Sequence, residues 1–89
     1  MRAIVTVAGK DHVGIIAGIC IALSENGVNV LDISQTVMQE FLTMNMLVDT
    51  STSSVSFADI SAALEKAGRE LAVSVRIQRE DIFEAMHRI

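Results

Sequence analysis

The chain is short, acidic and apolar: it has 89 residues, a formal net charge of -4 and a hydrophobic content of 51%, which is enough for one core but not two. Its seven basic residues are scattered, which argues against direct binding to nucleic acid. A single cysteine excludes an intrachain disulfide, and with only two histidines it cannot complete a standard zinc site. We therefore expect one domain over residues 1–89, with no metal and no cofactor.

The first predicted elements are a strand, a turn and a helix. The segment AIVTV (residues 3–7) is typical of a strand and runs into the turn AGKDHVGI (residues 8–15). From Val13 to Ser24 the spacing predicts a helix, which the pair Asn26-Gly27 ends. The stripe expected to face the core is Ile16, Ile19, Cys20 and Leu23.

This helix carries more apolar surface than one core-facing stripe requires. Val13, Ala17 and Ile21 form an adjoining apolar stripe, and no side chain between His12 and Glu25 is charged. Either the C-terminal helix or a second subunit is expected to cover it. We favour a dimer, because burying one isoleucine contributes about 1.5 to 3 kcal/mol.

Two strands joined by a hairpin are predicted next, over residues 29–39 and 41–50 with the turn at Gln39-Glu40. Met44 and Met46 alternate with polar residues in the second strand, so we expect them to fill the core rather than bind a metal. The polar run TSTSS (residues 50–54) is a connection within the domain.

The last third of the chain predicts a helix, a strand and a short helix. The segment SFAD (residues 56–59) resembles a capping box and opens a helix whose apolar face is Phe57, Ile60, Leu64, Ala67 and Leu71. The strand that follows is half-buried, with an inner side of Val73, Val75 and Ile77. A helix at about residues 80–88 closes the chain, with an apolar side of Ile82, Phe83, Met86 and Ile89.

The predicted fold class is α+β. With right-handed crossovers, this order of elements gives a ferredoxin-like βαββαβ sandwich: a four-stranded antiparallel sheet with two helices on one face, plus the short C-terminal helix. The core unit covers residues 2–79. The other face of the sheet is expected to meet solvent or a partner through Asp32, Ser34, Thr36, Thr43, Asn45 and Arg76.

The turn before the first helix is the strongest candidate for a site. Backbone N–H groups near Gly14 and Ile15 begin a helix and can receive a carboxylate, while Asp11 can receive the ammonium group of an amino acid. The alternative is structural: Asp11 caps the helix and Gly9 permits the turn. His12 lies in the same turn, either as a ligand contact or as an exposed polar residue.

The run GKDHVGIIAGICIALSENGVNVLDISQTVM (residues 9–38), with the hairpin, helix and strand after it, resembles the ACT domain, a small ligand-binding module of regulators of amino-acid metabolism. The resemblance covers about residues 2–79. The segments LDISQTVM and FLTMNMLVD are similar to the short bacterial proteins that consist of one ACT domain and little else, and to the repressor of the glycine cleavage system.

This resemblance implies that an amino acid or similar small molecule binds at a dimer interface, between the first turn of one subunit and the second strand of its partner. It assigns Asp11 as the polar loop residue, Gly14 as the glycine that opens the helix, Ile15 as the apolar residue after it, and Asn29 as the contribution of the neighbouring chain. With His12, these are the candidate ligand-binding residues. The sequence departs from the family at Val13, where many members have proline, and at Gly9, where some have a polar side chain.

Three other functions of this architecture fit the sequence poorly. An RNA-recognition module needs aromatic residues on its strands, but the chain has no Trp, no Tyr and three Phe. A metal chaperone would carry two cysteines in the first turn, and an acylphosphatase would carry an arginine where this turn has Lys10. We therefore expect a regulatory small-molecule-binding module, not an enzyme, acting as a homodimer or higher homo-oligomer; the alternative is a protein-interaction subunit without a ligand.

The expected location is the cytoplasm, with no membrane partner. The first residues do not show the pattern of a signal peptide, which is a basic region followed by an apolar run and a cleavage site of small residues. The longest charge-free segment near the N-terminus, Val13 to Ser24, is too short to span a bilayer.

Overall fold

The computed structural model describes residues 1–87, in which four strands and three helices follow one another along the chain. They are β1 (Arg2–Lys10), α1 (Ile15–Glu25), β2 (Asn29–Met38), β3 (Phe41–Asp49), α2 (Phe57–Leu71), β4 (Val73–Arg79) and α3 (Glu80–His87).

The four strands form one antiparallel sheet in the order β2-β3-β1-β4, so β2 and β4 are the edges. The βαββαβ prediction is therefore confirmed, including the short C-terminal helix. The β2–β3 hairpin turns at Gln39 and Glu40 as predicted, with Gln39 at a φ of 56°. Each hairpin strand ends one residue earlier than predicted, at Met38 and Asp49.

The core lies between one face of the sheet and the helices α1 and α2. Alternate residues of the central strands point into it, among them Val5 and Val7 on β1 and Met44 and Met46 on β3, all fully buried. The prediction that both methionines are core residues is confirmed. Alternation puts the intervening residues on the opposite, open face of the sheet.

Helix α1 begins at Ile15 rather than at Val13, because Gly14 has a φ of 97° and forms the N-cap. The core stripe of the helix therefore differs from the prediction. Ile15, Ile19 and Leu23 are buried, whereas Ile16 is 40% exposed and Cys20 is only half-buried. The terminator is confirmed: Asn26 is the C-cap and Gly27 has a φ of 71°.

Helix α2 and strand β4 follow the predicted pattern. The Ser56 hydroxyl accepts the amide of Asp59 at 3.1 Å and caps the N-terminus of α2. Ile60 and Leu64 of its predicted apolar face are buried in the core. Ala72, with a φ of 58°, ends the helix and leads directly into β4.

Helix α3 packs on β1 and β4, not on α1. Phe83 borders a depression whose other residues belong to the open face of the sheet. Of the two alternatives for covering the second apolar stripe of α1, the C-terminal helix is therefore excluded for the described residues, and the favoured one, a second subunit, stays a prediction. Val13 remains 99% exposed and Ile21 57% exposed. Ile89 and residue 88 of the predicted helix lie outside the described residues, as does the side chain of Met86.

Within residues 1–87, none of the helices has the length and apolar character needed to cross a membrane.

Candidate ligand site at the first turn

A depression of about 290 Å³ lies between the turn after β1, the first turn of α1 and the edge strand β2. Four of the five predicted site residues line it: Asp11, His12, Gly14 and Ile15. The fold brings them together because β1 ends beside the β2–β3 hairpin, where the Asp11 amide donates a 2.7 Å hydrogen bond to the Glu40 carbonyl.

The N-terminus of α1 opens into this depression without a side-chain cap. Gly14 is the N-cap, and among the described residues no side chain accepts a hydrogen bond from the first turn. The first helical bond runs from the Gly18 amide to the Gly14 carbonyl at 2.8 Å, so the amides before it have no helical partner and carry the positive end of the dipole. The hypothesis that Asp11 caps α1 is therefore wrong, because the N-cap is Gly14, three residues further on.

Gly14 combines a special backbone conformation with open space. Its φ of 97° lies in the region that L side chains rarely adopt, and a Cβ built there meets no atom within 4 Å. Glycine is therefore required by the backbone turn rather than by a close neighbour. The open space in front of it is where a ligand can approach the helix amides.

His12 connects the turn to the end of α2. Its Nε2 atom lies 2.6 Å from the Leu71 carbonyl oxygen, which can only accept, so Nε2 is the donor. Its Nδ1 atom lies 3.1 Å from the Val13 carbonyl. His12 thus lines the depression while its Nε2 atom is engaged by the last turn of α2, which favours a positioning role.

Ile15 forms part of the inner wall of the depression, since its side chain is 2% exposed and belongs to the core. Five further lining residues were not predicted from the sequence: Ile16, Ala17, Gln35, Val37 and Leu42. One of these five residues could have been identified from the sequence. Gln35 is a polar residue between Ile33 and Val37 on the helix-facing side of β2, where the pattern is otherwise apolar.

Asn29, the fifth predicted residue, is not in this depression. It opens β2 and pairs with Asp49, whereas the depression lies near Lys10 and Phe41 at the other end of β3. Eight residue steps of about 3.4 Å separate Phe41 from Asp49, or about 27 Å. Asn29 and Asp11 of one chain therefore cannot contact the same small ligand.

Ion pairs lie away from this turn. The three within residues 1–87 join Asp49 to the N-terminal ammonium at 3.5 Å, Arg2 to Glu80, and Arg79 to Asp81 at 2.7 Å. Hydrogen bonding to Glu80 raises the pKa of Arg2, and hydrogen bonding to Arg79 lowers the pKa of Asp81. The Arg2–Glu80 and Arg79–Asp81 pairs hold α3 to the end of the sheet opposite the depression. Among the same residues, no three His, Cys, Asp or Glu side chains are grouped as metal ligands.

A four-stranded antiparallel sheet in the order β2-β3-β1-β4, with α1 and α2 on one face, defines the ferredoxin-like class of α+β domains. The sequence model of the ACT domain matches residues 2–78, and the chain belongs to the ACT-domain family. It is 54% identical over 89 residues to a UPF0237 protein of Clostridium acetobutylicum, covering the full length of both.

Solved structures agree with this assignment. An ACT domain protein from Streptococcus pneumoniae is 44% identical and has a TM-score of 0.82. The alignment covers 98% of this chain and 98% of that one. The regulatory subunit of aspartate kinase from Thermus thermophilus is 25% identical, with a TM-score of 0.68 over 86% of this chain and 50% of that one. The predicted similarity to a glycine cleavage repressor is confirmed at the level of fold: a putative repressor is 17% identical, with a TM-score of 0.73 over 86% of this chain and 44% of that one.

Proposed function

We propose that this chain is a cytoplasmic regulatory module that binds an amino acid between two copies of itself, and that it is not an enzyme. One observation carries the proposal. The uncapped amides at the start of α1 and the exposed carboxylate of Asp11 line one depression, so an anion-binding end and a cation-binding end lie side by side. A free amino acid carries its ammonium and carboxylate groups on the same carbon, and a helix N-terminus is a site for the carboxylate.

The size of the depression and the family membership support this ligand class. About 290 Å³ is just below the range of about 300–1,000 Å³ for drug-sized ligands, which suits a molecule as small as an amino acid. The structural neighbour from aspartate kinase is a regulatory subunit. A regulatory role fits a chain that is matched by one ACT domain over residues 2–78.

The edge strand β2 is the surface through which we propose that two copies associate. Within residues 1–87 it pairs with β3 alone, which leaves its other side open to a further strand. Its side chains are unusually apolar for an open edge: Leu31, Ile33, Val37 and Met38 are 47%, 41%, 53% and 71% exposed. On the same side, Ile16 and Ile21 of α1 are 40% and 57% exposed.

Antiparallel pairing of two β2 strands accounts for the position of Asn29. The strand spans Asn29–Met38, so a two-fold axis at its midpoint sets Asn29 of a second copy opposite Met38. Met38 follows Val37, which lines the depression. Asn29, which opens β2 at the end remote from the site of its own chain, is then brought beside the end of β2 that borders the site of the other chain, and the apolar stripes of the two α1 helices face one another.

A complementation experiment tests this arrangement. Thermal shift against the common amino acids identifies a ligand, and Asp11→Ala and Asn29→Ala are each expected to abolish its effect. Mixing the two variants under exchange conditions gives heterodimers with one intact site, because Asp11 and Asn29 are then both native at one of the two sites. We expect calorimetry to recover binding at one site in each heterodimer, while Glu65→Ala, on an exposed face of α2, leaves binding unchanged.

The outcomes separate the proposal from its alternative. Binding that both variants abolish but their mixture does not restore would mean that the site lies within one chain. No ligand-induced shift, together with a stable dimer by sedimentation, would favour a protein-interaction subunit that uses the exposed β2 edge. A ligand at a hundred times its dissociation constant should raise stability by about 2.7 kcal/mol, which thermal shift detects easily.

A further inference from the structure

The open face of the sheet has a second and larger depression, of about 520 Å³. It lies on the opposite side of the sheet from the depression at the first turn. Residues of β3, β1 and β4 form its floor, and Phe83 of α3 lies at its rim. Its polar and aromatic lining is Thr6, Asn45, Ser74, Arg76, Gln78 and Phe83. The proposed amino-acid site uses none of these residues.

Arg76 is the charged group of this depression. It pairs with Thr6 across the β1–β4 ladder, and Thr6 pairs with Asn45 across the β1–β3 ladder, so the three side chains form one row on the open face. Among the described residues, no carboxylate forms an ion pair with Arg76. In a chain of net charge -4, an arginine without an acidic partner in a concave site favours an anionic ligand.

The neighbouring acidic groups are engaged or distant. Glu80 at the start of α3 pairs with Arg2, and Glu84 acts electrostatically on Arg2 as well. Asp32 lies on β2, three strands away from Arg76, which is about 14 Å at the spacing of adjacent strands. Within residues 1–87, neither an ion pair nor a side-chain hydrogen bond involves the Arg76 guanidinium, so its donors face the depression.

The polar side chains next to Arg76 present further donors. The Thr6 hydroxyl donates to Asn45 Oδ1 at 3.1 Å, which fixes the Asn45 amide and leaves its NH₂ group as a donor. Ser74 adds a hydroxyl from β4. Arginine binds planar carboxylates and phosphates through two parallel hydrogen bonds, and neighbouring neutral donors complete such a site.

Phe83 gives the depression an apolar wall. It belongs to α3, is half-buried, and lines the depression together with Ala8 of β1. An aromatic ring stacks on planar groups, and the volume accommodates a ring as well as a charged head. The ligand class is then an organic anion with a carboxylate or phosphate head and a planar body.

We propose that the open face of the sheet, centred on Arg76, is a second ligand site that binds such a planar organic anion independently of the first-turn site. The anionic head pairs with Arg76 and Asn45, and the planar body lies against Phe83. The chain would then sense two chemically different ligands on opposite faces of one sheet.

The test is an NMR titration of the ¹⁵N-labelled full chain with phenyl phosphate, benzoate, inorganic phosphate and neutral phenol. We expect saturable shifts at the amides of Thr6, Asn45 and Arg76 with a dissociation constant of about 1 mM or tighter for one of the aromatic anions, and none with phenol. The comparison of phenyl phosphate with benzoate identifies the head group.

Two variants and a matched control sharpen the result. Arg76→Gln should weaken binding by about tenfold or more, whereas Arg69→Gln, which removes the same charge from an exposed position on α2, should not change it. Phe83→Leu should lower the affinity for the aromatic anion towards that for inorganic phosphate.

Three results would overturn the proposal. The first is a titration without saturation for both aromatic anions. The second is an Arg76→Gln variant that binds like the native chain. The third is an Arg76→Gln variant that changes only the sedimentation of the protein, since the open face would then be an interface between copies.

Discussion

Replacing Gly68 with alanine sets two physical effects against each other. Gly68 lies within helix α2, where alanine is favoured over glycine by about 1 kcal/mol. A Cβ at this position, however, would lie 2.8 Å from the Val73 carbonyl oxygen and 2.8 Å from Val75 Cγ2. The carbonyl is backbone of β4, which is held in register to β1 by the pairing of Val73 with Gly9, so it cannot move alone.

The clash should therefore exceed the gain in helix propensity. Overpacking of a tight core costs about 1–3 kcal/mol, and a backbone neighbour puts this site in the upper part of that range. After subtracting the propensity gain, we expect Gly68→Ala to lower the free energy of unfolding by about 1–2 kcal/mol. For a domain of this size, each kcal/mol lowers Tm by about 4–8 °C.

Gly18→Ala is the matched control, because it makes the same change in a helix with a different neighbour. Its Cβ would lie 2.7 Å from Leu71 Cδ1, the end of a flexible, half-buried side chain that can change rotamer. We expect a change between zero and a gain of about 1 kcal/mol. Urea unfolding followed by circular dichroism, at one protein concentration, measures both; a Gly68→Ala variant as stable as the native chain would refute this reasoning.

Three further changes test the caps and the acid response. Ser56→Ala removes the N-cap of α2 and should cost about 0.5–2 kcal/mol in urea unfolding, with Ser56→Asp restoring most of it. His12→Ala removes the hydrogen bond to Leu71 and should cost about 0.5–1.5 kcal/mol, whereas no loss would mean that the turn is not held to α2. The amide of Ser51 lowers the pKa of Asp49, so its contribution to stability is complete above the pKa of the unfolded chain and is lost as pH falls through the lower, folded-state pKa. Asp49→Asn should therefore flatten the acid end of a plot of stability against pH, and an unchanged acid slope would contradict this role.

The order of elements could be predicted because each one has a strong local signal. Met44 and Met46 alternate with polar residues over a long strand, and they are fully buried as predicted. The hairpin turn at Gln39 and Glu40 and the cap at Ser56 were likewise set by nearby residues. These features depend on contacts within a few positions along the chain, which a sequence pattern records.

The face of α1 could not be predicted in the same way. Its sequence is apolar nearly all round, so the pattern fits several rotations of the helix equally well. Gly14 decides between them: its φ of 97° starts the helix at Ile15 and rotates Ile16 out of the core. The conformation of that glycine depends on where β1 ends beside the β2–β3 hairpin, which is a contact distant in sequence.

The sequence predicted only those lining residues of the candidate site that lie close together along the chain. Asp11 and Gly14 belong to one turn, and both line the depression. Gln35 and Val37 reach it from β2 only because that strand is placed at the sheet edge. No pattern within the turn indicates which distant residues become its neighbours.

In the proposed arrangement, the separation of Asn29 from Asp11 links assembly to ligand binding. Asp11 follows Lys10, the partner of Phe41, while Asn29 pairs with Asp49 at the other end of β3, so a site that needs both residues exists only when two copies pair. A ligand that binds only the dimer also stabilises the dimer. The free energy by which the ligand favours dimer formation equals the free energy by which dimer formation favours ligand binding. The module would then report ligand concentration through its own association, and the exposed apolar edge of β2 would be the part of the structure that makes this response possible.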